Sequence, residues 1–133
     1  MKSTKEFFQN KKILIYGYGK TGKSAFNFLK TKNNLKVFDD NLPLTNLPYN
    51  KKFTRGRDRV RNFDYVLLSP GINYRKCLLS NEIIKNKEKI ISDLDVFYKS
   101  FPENFFITIT GTNGKSTTCK LLYQVLKLSL IHI

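Results

Sequence analysis

The chain has 133 residues, of which 41% are hydrophobic and 14% aromatic, and its formal net charge is +14 at pH 7. This length and composition predict one globular domain, or one small domain with part of a second, and exclude a disordered chain. No apolar run approaches the roughly 20 residues that span a bilayer, and the first residues lack the apolar core of a secretory signal. We therefore expect a cytoplasmic protein with no membrane partner.

Rare residue types and the distribution of charge narrow the possible chemistry. Cys77 and Cys119 lack metal-binding spacing and are interpreted as two reduced thiols. His132 is the only histidine, which argues against His-based metal sites and Ser–His–Asp triads. The lysines are scattered, so no nucleic-acid partner is predicted. The densest basic run, residues 55–61, is interpreted as a solvated loop, with contact to a polyanionic ligand as the alternative.

Short apolar runs alternate with amphipathic segments along the first hundred residues. Predicted strands cover residues 11–16, 35–38, 63–68 and 89–91, and predicted helices cover residues 23–30, 76–86 and 92–100. Ser92 with Asp95 three residues later is the signature of a capped helix start. The alternation predicts an α/β fold with a Rossmann-like parallel sheet.

A glycine motif follows the first predicted strand. Gly17, Gly19 and Gly22 have the spacing of a dinucleotide-binding loop, and Asp39 ends the next strand. In that layout the glycines let a diphosphate approach the start of a helix, and the acidic residue contacts a ribose or base. The residues alone do not separate NAD from another diphosphonucleoside. A glycine turn that only packs helix on strand is the alternative.

A second glycine-rich loop lies between a predicted strand at residues 105–109 and a predicted helix at residues 118–127. This layout, with Gly-Lys-Ser at the end of the loop, is typical of a phosphate-binding P-loop and predicts ATP and Mg²⁺ as cofactors. Lys115 is the candidate catalytic residue, acting on the β- and γ-phosphates, and the Ser116 hydroxyl is the candidate Mg²⁺ ligand. The predicted phosphate-binding residues are Gly111, Thr112, Asn113, Gly114, Lys115, Ser116 and Thr117. An ordinary turn with a solvated Lys115 is the alternative.

The amino-acid sequence of this loop resembles that of the Mur ligase family, the ATP-dependent amide ligases that build the peptide of bacterial cell-wall precursors. Residues 17–22 and the turn Ser69-Pro70-Gly71 also resemble that family, in the same order along the chain. The resemblance implies that the first domain holds the UDP part of the substrate, that Asp39 lies near the uracil, and that the Ser-Pro-Gly turn approaches the nucleotide. The implied UDP-substrate-binding residues are Gly17, Gly19, Lys20, Thr21, Gly22, Asp39, Ser69, Pro70 and Gly71. The next positions, usually Thr or Ser and then Arg in the family, are Asp40 and Asn41 here.

Within the family, the loop sequence most resembles that of the members that add D-glutamate. This resemblance implies UDP-N-acetylmuramoyl-L-alanine and D-glutamate as substrates. The resemblance further implies that ATP phosphorylates the alanyl carboxylate to an acyl phosphate, which the D-glutamate amine attacks. The implied process is peptidoglycan synthesis, and with it cell wall biogenesis, cell shape and cell division. A full-length family member is expected to be a monomer.

Residues 1–92 are predicted to be a UDP-substrate-binding domain and residues 93–133 the start of a central ATP-binding domain. Few residues follow the P-loop helix, so the second domain is expected to be truncated and the chain by itself inactive and prone to self-association. The alternative function is a stand-alone nucleotide- or NAD-binding regulatory module, which leaves the P-loop without a role.

Overall fold

The structure is a computed structural model that describes residues 7–48 and 50–131. The chain divides into two compact units, the first ending at Glu103 and the second beginning at Asn104. In the described part of the chain, no helix is both long and apolar enough to cross a membrane.

The first unit is built on a four-stranded sheet in which every pair of neighbouring strands is parallel. The strands are β1 (Lys12–Tyr16), β2 (Asn34–Phe38), β3 (Tyr65–Leu68) and β4 (Ile90–Ile91). Their order is β2-β1-β3-β4, with Ile13 opposite both Leu35 and Tyr65. Strand β2 pairs with one side of β1 and strand β3 pairs with the other side, as in doubly wound α/β folds. The predicted α/β, Rossmann-like fold is confirmed.

Helices cover both faces of this sheet. The helices of the first unit are α1 (Lys20–Leu29), α2 (Ser80–Lys85) and α3 (Asp93–Ser100). Alternate side chains of β1 point to opposite faces, so Ile13 and Ile15 pack with α1 and α3, whereas Leu14 and Tyr16 pack with α2. All four side chains are fully buried, as expected for a parallel sheet that is covered on both faces.

Helix α3 begins at the predicted capping box. The Ser92 hydroxyl accepts a hydrogen bond from the Asp95 amide, and the Asp95 carboxylate accepts one from the Ser92 amide. Val96 of this helix is buried in the core of the first unit. The compact first unit therefore includes α3 and extends beyond residue 92, where the sequence places the domain boundary. That boundary stays a prediction.

Two helices of the first unit start away from their predicted positions. Helix α1 begins at Lys20, inside the glycine motif and three residues earlier than predicted. Helix α2 begins at Ser80 rather than at residue 76, because hydrogen-bonded turns occupy residues 73–80. The strands lie close to their predicted positions.

The second unit contains one helix, α4 (Lys115–Ile131), in its described residues. The strand predicted at residues 105–109 is not formed, and this segment carries no regular secondary structure. A strand exists only when its backbone groups are paired with a neighbour, and residues 104–131 supply no second strand. The strand prediction is therefore wrong for this structure, while the helix that follows the loop is confirmed.

Candidate functional site

The loops that follow β1 and β3 meet at the carboxyl edge of the sheet. The Ser69 hydroxyl donates a hydrogen bond to the carbonyl oxygen of Gly17 at 3.0 Å, and the Ser69 amide donates to the carbonyl oxygen of Tyr16, also at 3.0 Å. Strand β1 lies between β2 and β3, so the order of the strands reverses beside it. The carboxyl edge at this switch point is where α/β proteins bind ligands. Ser69 is half-buried, whereas Pro70 and Gly71 are exposed beside it.

Two of the three motif glycines are required by close packing. Gly17 has a φ of +93°, and a Cβ atom there would lie 2.8 Å from the Cβ of Ser69. A Cβ at Gly22 would lie 1.9 Å from the carbonyl oxygen of Gly17. Gly19 differs, because a Cβ there would meet no atom of the described residues within 4 Å. Close packing within and beside the loop thus accounts for Gly17 and Gly22 but leaves Gly19 facing open space.

The start of α1 presents an electropositive surface to this space. Gly19 is the N-cap residue, no side chain caps the helix, and no acidic residue lies in its first turn. The first-turn amides of a helix have no partner within the helix, and the helix dipole places partial positive charge there. Lys20 and Thr21 lie in this turn and line a cavity of about 390 Å³ between α1 and α3. These groups favour an anionic ligand such as a diphosphate.

The cavity beside this turn has a polar end and an apolar body. Ser24 and Asp93 extend the polar lining around Lys20 and Thr21. The apolar lining comprises Ala25, Phe28, Val96 and Phe97. The wall formed by α3 could not be identified from the sequence, because periodicity predicts that the helix exists but does not show which face of α1 it packs beside.

Asp39 fixes the glycine loop to the loop after β2. Its carboxylate accepts hydrogen bonds from the amides of Tyr18 at 2.7 Å, Asn41 at 2.9 Å and Leu42 at 3.1 Å. These three bonds occupy most of the acceptor capacity of a carboxylate. Asp39 therefore lies at the predicted edge of the site, and in this structure its carboxylate organises the surrounding backbone.

Asp40 joins the same edge to the segment before α2. The hydroxyl of the fully buried Tyr16 donates to one oxygen of Asp40 at 2.6 Å, and the Leu78 amide donates to the other oxygen at 3.2 Å. Burial, reinforced by the hydrogen bond to Asp40, raises the pKa of Tyr16 well above its usual value. In the sequence alone, Asp40 is only a departure from the family pattern, because its partner is a tyrosine in the sheet interior.

The second predicted site lies at the start of α4. Gly111 and Gly114 have φ values of +151° and +76°, conformations that favour glycine over residues with a side chain. The Lys115 ammonium donates hydrogen bonds to the carbonyl oxygens of Gly111 and Thr112. The Thr118 amide and hydroxyl both donate to the carbonyl oxygen of Gly114. All seven predicted phosphate-binding residues are exposed.

This loop has the donors that a polyphosphate needs. Lys115 and Ser116 begin α4, so the first turn carries an ammonium, a hydroxyl and amides without partners in the helix, and no acidic residue lies in it. The fit to a magnesium ion rests on Ser116 alone, since the described residues contain no group of three His, Cys, Asp or Glu side chains that could hold a metal.

The first unit is a Rossmann-like α/β unit whose glycine loop, acidic residue and Ser-Pro-Gly turn meet at the switch point, an arrangement typical of nucleotide-binding proteins. Comparison with curated proteins confirms the resemblance to the Mur ligase family, through relatives named UDP-N-acetylmuramoylalanine–D-glutamate ligase.

The relative from Rickettsia prowazekii is 38% identical over 129 residues, which cover 90% of this chain and 28% of the relative. The relative from Bacillus cytotoxicus is 35% identical over 131 residues, covering 90% of this chain and 29% of the relative. The relative from Francisella philomiragia is 36% identical over 126 residues, covering 91% and 28%. The chain therefore spans less than a third of the length of these relatives. No family model matches it.

Proposed function

We propose that this chain carries the substrate-binding part, and the beginning of the ATP-binding part, of a ligase that adds D-glutamate to UDP-N-acetylmuramoyl-L-alanine in peptidoglycan synthesis. The observation that carries the proposal is the open space at Gly19, beside an uncapped helix start, in a chain similar to ligases of that name. A diphosphate is the group that this arrangement favours.

In this proposal the first unit binds and orients the UDP-sugar. The first-turn amides of α1 with Lys20 and Thr21 hold the diphosphate, and Ser69, Pro70 and Gly71 border the nucleotide. Asp39 acts by fixing the backbone of residues 18 and 41–42, so that the loop is ordered before the ligand arrives. A loop ordered in advance loses less conformational entropy on binding.

The second unit supplies the phosphate-binding loop. The Lys115 ammonium donates to loop carbonyls in this structure and would donate to the phosphates of bound ATP, and the Ser116 hydroxyl would contribute one ligand to Mg²⁺. ATP would supply the phosphoryl group that activates the alanyl carboxylate as an acyl phosphate. The loop then acts by position and charge rather than by covalent chemistry.

Gly19→Val tests the substrate site. Position 19 has a φ of −74° and open space around it, so valine should cost only its weaker preference for the N-cap, about 1 kcal/mol, while its side chain fills the diphosphate position. We expect the Kd for UDP-N-acetylmuramoyl-L-alanine, measured by calorimetry, to rise at least roughly tenfold, equivalent to about 1.4 kcal/mol. Asn27→Val adds the same side chain on the exposed face of α1 and serves as the control. An unchanged Kd for Gly19→Val would contradict the proposed site.

The activity of the 133-residue chain can be tested separately. The described residues contain no group of three His, Cys, Asp or Glu side chains that could hold a metal, and Ser116 is the only metal ligand proposed among them. We therefore expect substrate binding without amide formation. Incubation with UDP-N-acetylmuramoyl-L-alanine, D-glutamate and ATP·Mg²⁺, followed by mass spectrometry of the products, checks this expectation. Amide product above that of a Lys115→Ala chain would show that these residues suffice for the reaction.

A further inference from the structure

A groove on the α2 side of the first unit contains none of the predicted nucleotide-binding residues. It has a volume of about 490 Å³ and lies between the turn at residues 55–59 and the start of α2. Arg55, Gly56 and Arg59 form one wall, and Leu78, Asn81 and Glu82 contribute to the other. The basic run that the sequence analysis interpreted as a solvated loop therefore borders a concave surface.

The two walls of the groove are held together by the core. The Glu82 carboxylate accepts a hydrogen bond from the Val60 amide at 2.8 Å, and Val60 and Ile83 are fully buried in the same cluster. Within the turn, the Asp58 carboxylate accepts a bond from the Thr54 amide at 2.7 Å. The backbone that carries the two arginines is thus fixed at both ends.

The Arg59 guanidinium donates one hydrogen bond to the carbonyl oxygen of Asp58 at 3.3 Å, which leaves its other donors, and those of Arg55, for an anion. Asp58, the acidic residue nearest to them in sequence, pairs with Lys36 at 2.6 Å. Burial alone would raise the pKa of Asp58, but the Lys36 and Thr54 hydrogen bonds lower it below its usual value, so this carboxylate stays ionised and engaged. Among the described residues, no carboxylate lies within ion-pair distance of Arg55 or Arg59.

We propose that this groove binds a small phosphate-bearing anion through Arg55 and Arg59, at a site separate from the switch point and from the P-loop. Two guanidinium groups match the two charges of a phosphate group, and each can donate paired hydrogen bonds to its oxygens. The Asn81 side chain, also on the wall, supplies a neutral donor. Glu82 contributes one negative charge, so a single carboxylate ligand gains less than a doubly charged phosphate does.

Every second residue from Arg55 to Arg61 is an arginine, and this spacing provides a matched test. Arg55 and Arg59 line the groove, whereas Arg57 and Arg61 do not. The double variants R55S/R59S and R57S/R61S therefore remove the same charge from the same segment. Inorganic pyrophosphate is the probe, and amide chemical shifts in the full chain report which site it occupies. Gly56 and Asn81 report the groove, Gly22 reports the switch point, and Gly114 reports the P-loop.

We expect pyrophosphate to shift the amide resonances of Gly56 and Asn81 in the unmodified chain. The Kd fitted to those resonances should rise at least roughly tenfold in R55S/R59S, since hydrogen bonds to charged groups contribute more than neutral ones. It should change less than about threefold in R57S/R61S, where only long-range charge is lost. Equal losses in the two variants would show general attraction to a basic surface and would overturn the proposal.

The unmodified chain also gives a result that does not depend on the variants folding. Shifts confined to Gly22 and Gly114, with none at Gly56 and Asn81, would overturn the groove site while leaving the proposed ligase function intact. Shifts at Gly56 and Asn81 without any at Gly22 would support the groove and count against a diphosphate at the switch point.

Discussion

At the scale of single residues, the carboxyl edge of the sheet is organised by two adjacent aspartates with different partners. Asp39 binds backbone amides on both sides of the edge, and Asp40 binds the hydroxyl of the buried Tyr16. Their positions can be read from the sequence as the end of a strand. Their partners cannot, because Tyr18 and Leu78 are brought to this edge only by the fold.

Asp39→Ala should destabilise the first unit and weaken substrate binding together. It leaves the amides of Tyr18, Asn41 and Leu42 without their acceptor, and we expect a loss of about 2 kcal/mol in the free energy of unfolding. Urea denaturation measures the loss, and calorimetry measures the affinity. Glu88→Ala removes a carboxylate from an exposed position of the same unit and serves as the control. Equal effects of the two substitutions would contradict the organising role of Asp39.

Tyr16→Phe tests the buried hydroxyl. Because the pKa of Tyr16 is raised in the folded state, its contribution to stability is present below the pKa of an unfolded tyrosine and declines as pH rises above about 10. We expect Tyr16→Phe to lower the free energy of unfolding by about 1 kcal/mol at neutral pH, and to lose less stability than the unmodified chain above pH 10. Urea denaturation across this range checks both effects, with the exposed Tyr123→Phe as the control. Parallel pH profiles would contradict this account.

At the scale of elements, the sequence predicted the strands and helix starts that depend on neighbouring residues along the chain. The strands follow from their apolar runs, and α3 begins where the Ser92 and Asp95 pattern places it. The segment at residues 105–109 has strand-forming residues, but the described residues of its unit include no neighbouring strand, so residue preference alone did not form a strand there. The Arg55 turn was read as solvated because the wall opposite it comes from α2, more than twenty residues later.

Ser92→Ala should weaken the junction between β4 and α3. Loss of the N-cap hydroxyl is expected to lower the free energy of unfolding by about 1 kcal/mol. Hydrogen bonds from the Ser92 amide and hydroxyl lower the pKa of Asp95, so the contribution of Asp95 is present above about pH 4 and is lost as pH falls below it. The difference between the variant and the unmodified chain should therefore shrink in acid. Ser92→Thr, which keeps a hydroxyl, should restore the cap in chemical denaturation at pH 6 and pH 3.

At the scale of the whole molecule, the two units differ in how much apolar surface they bury. The first unit encloses its sheet on both faces. The second unit leaves large apolar side chains of α4 exposed, with Leu121 at 58%, Val125 at 62% and Leu128 at 63%. Exposed apolar residues repeating along one helix favour association with another surface.

We therefore expect the 133-residue chain to self-associate as its concentration rises. The variant L121E/V125E should remain smaller in light scattering at the same concentration, because it places charge on the apolar face of α4. The variant K120E/Q124E adds negative charge to the same helix without removing an apolar side chain, and it should associate much as the unmodified chain does. A monodisperse monomer at high concentration in the unmodified chain would contradict this expectation.

The central claim is that the first unit binds a UDP-sugar at the switch point, and a thermal-shift titration tests it most directly. UDP-N-acetylmuramoyl-L-alanine, NAD and ATP·Mg²⁺ would be titrated in parallel against the unmodified chain and Gly19→Val. A ligand at 100 times its Kd stabilises the folded state by about 2.7 kcal/mol, which raises the melting temperature by several degrees. We predict a rise with the UDP-sugar that Gly19→Val abolishes, and none with NAD. A rise with NAD alone, or none with the UDP-sugar in a folded chain, would contradict the account.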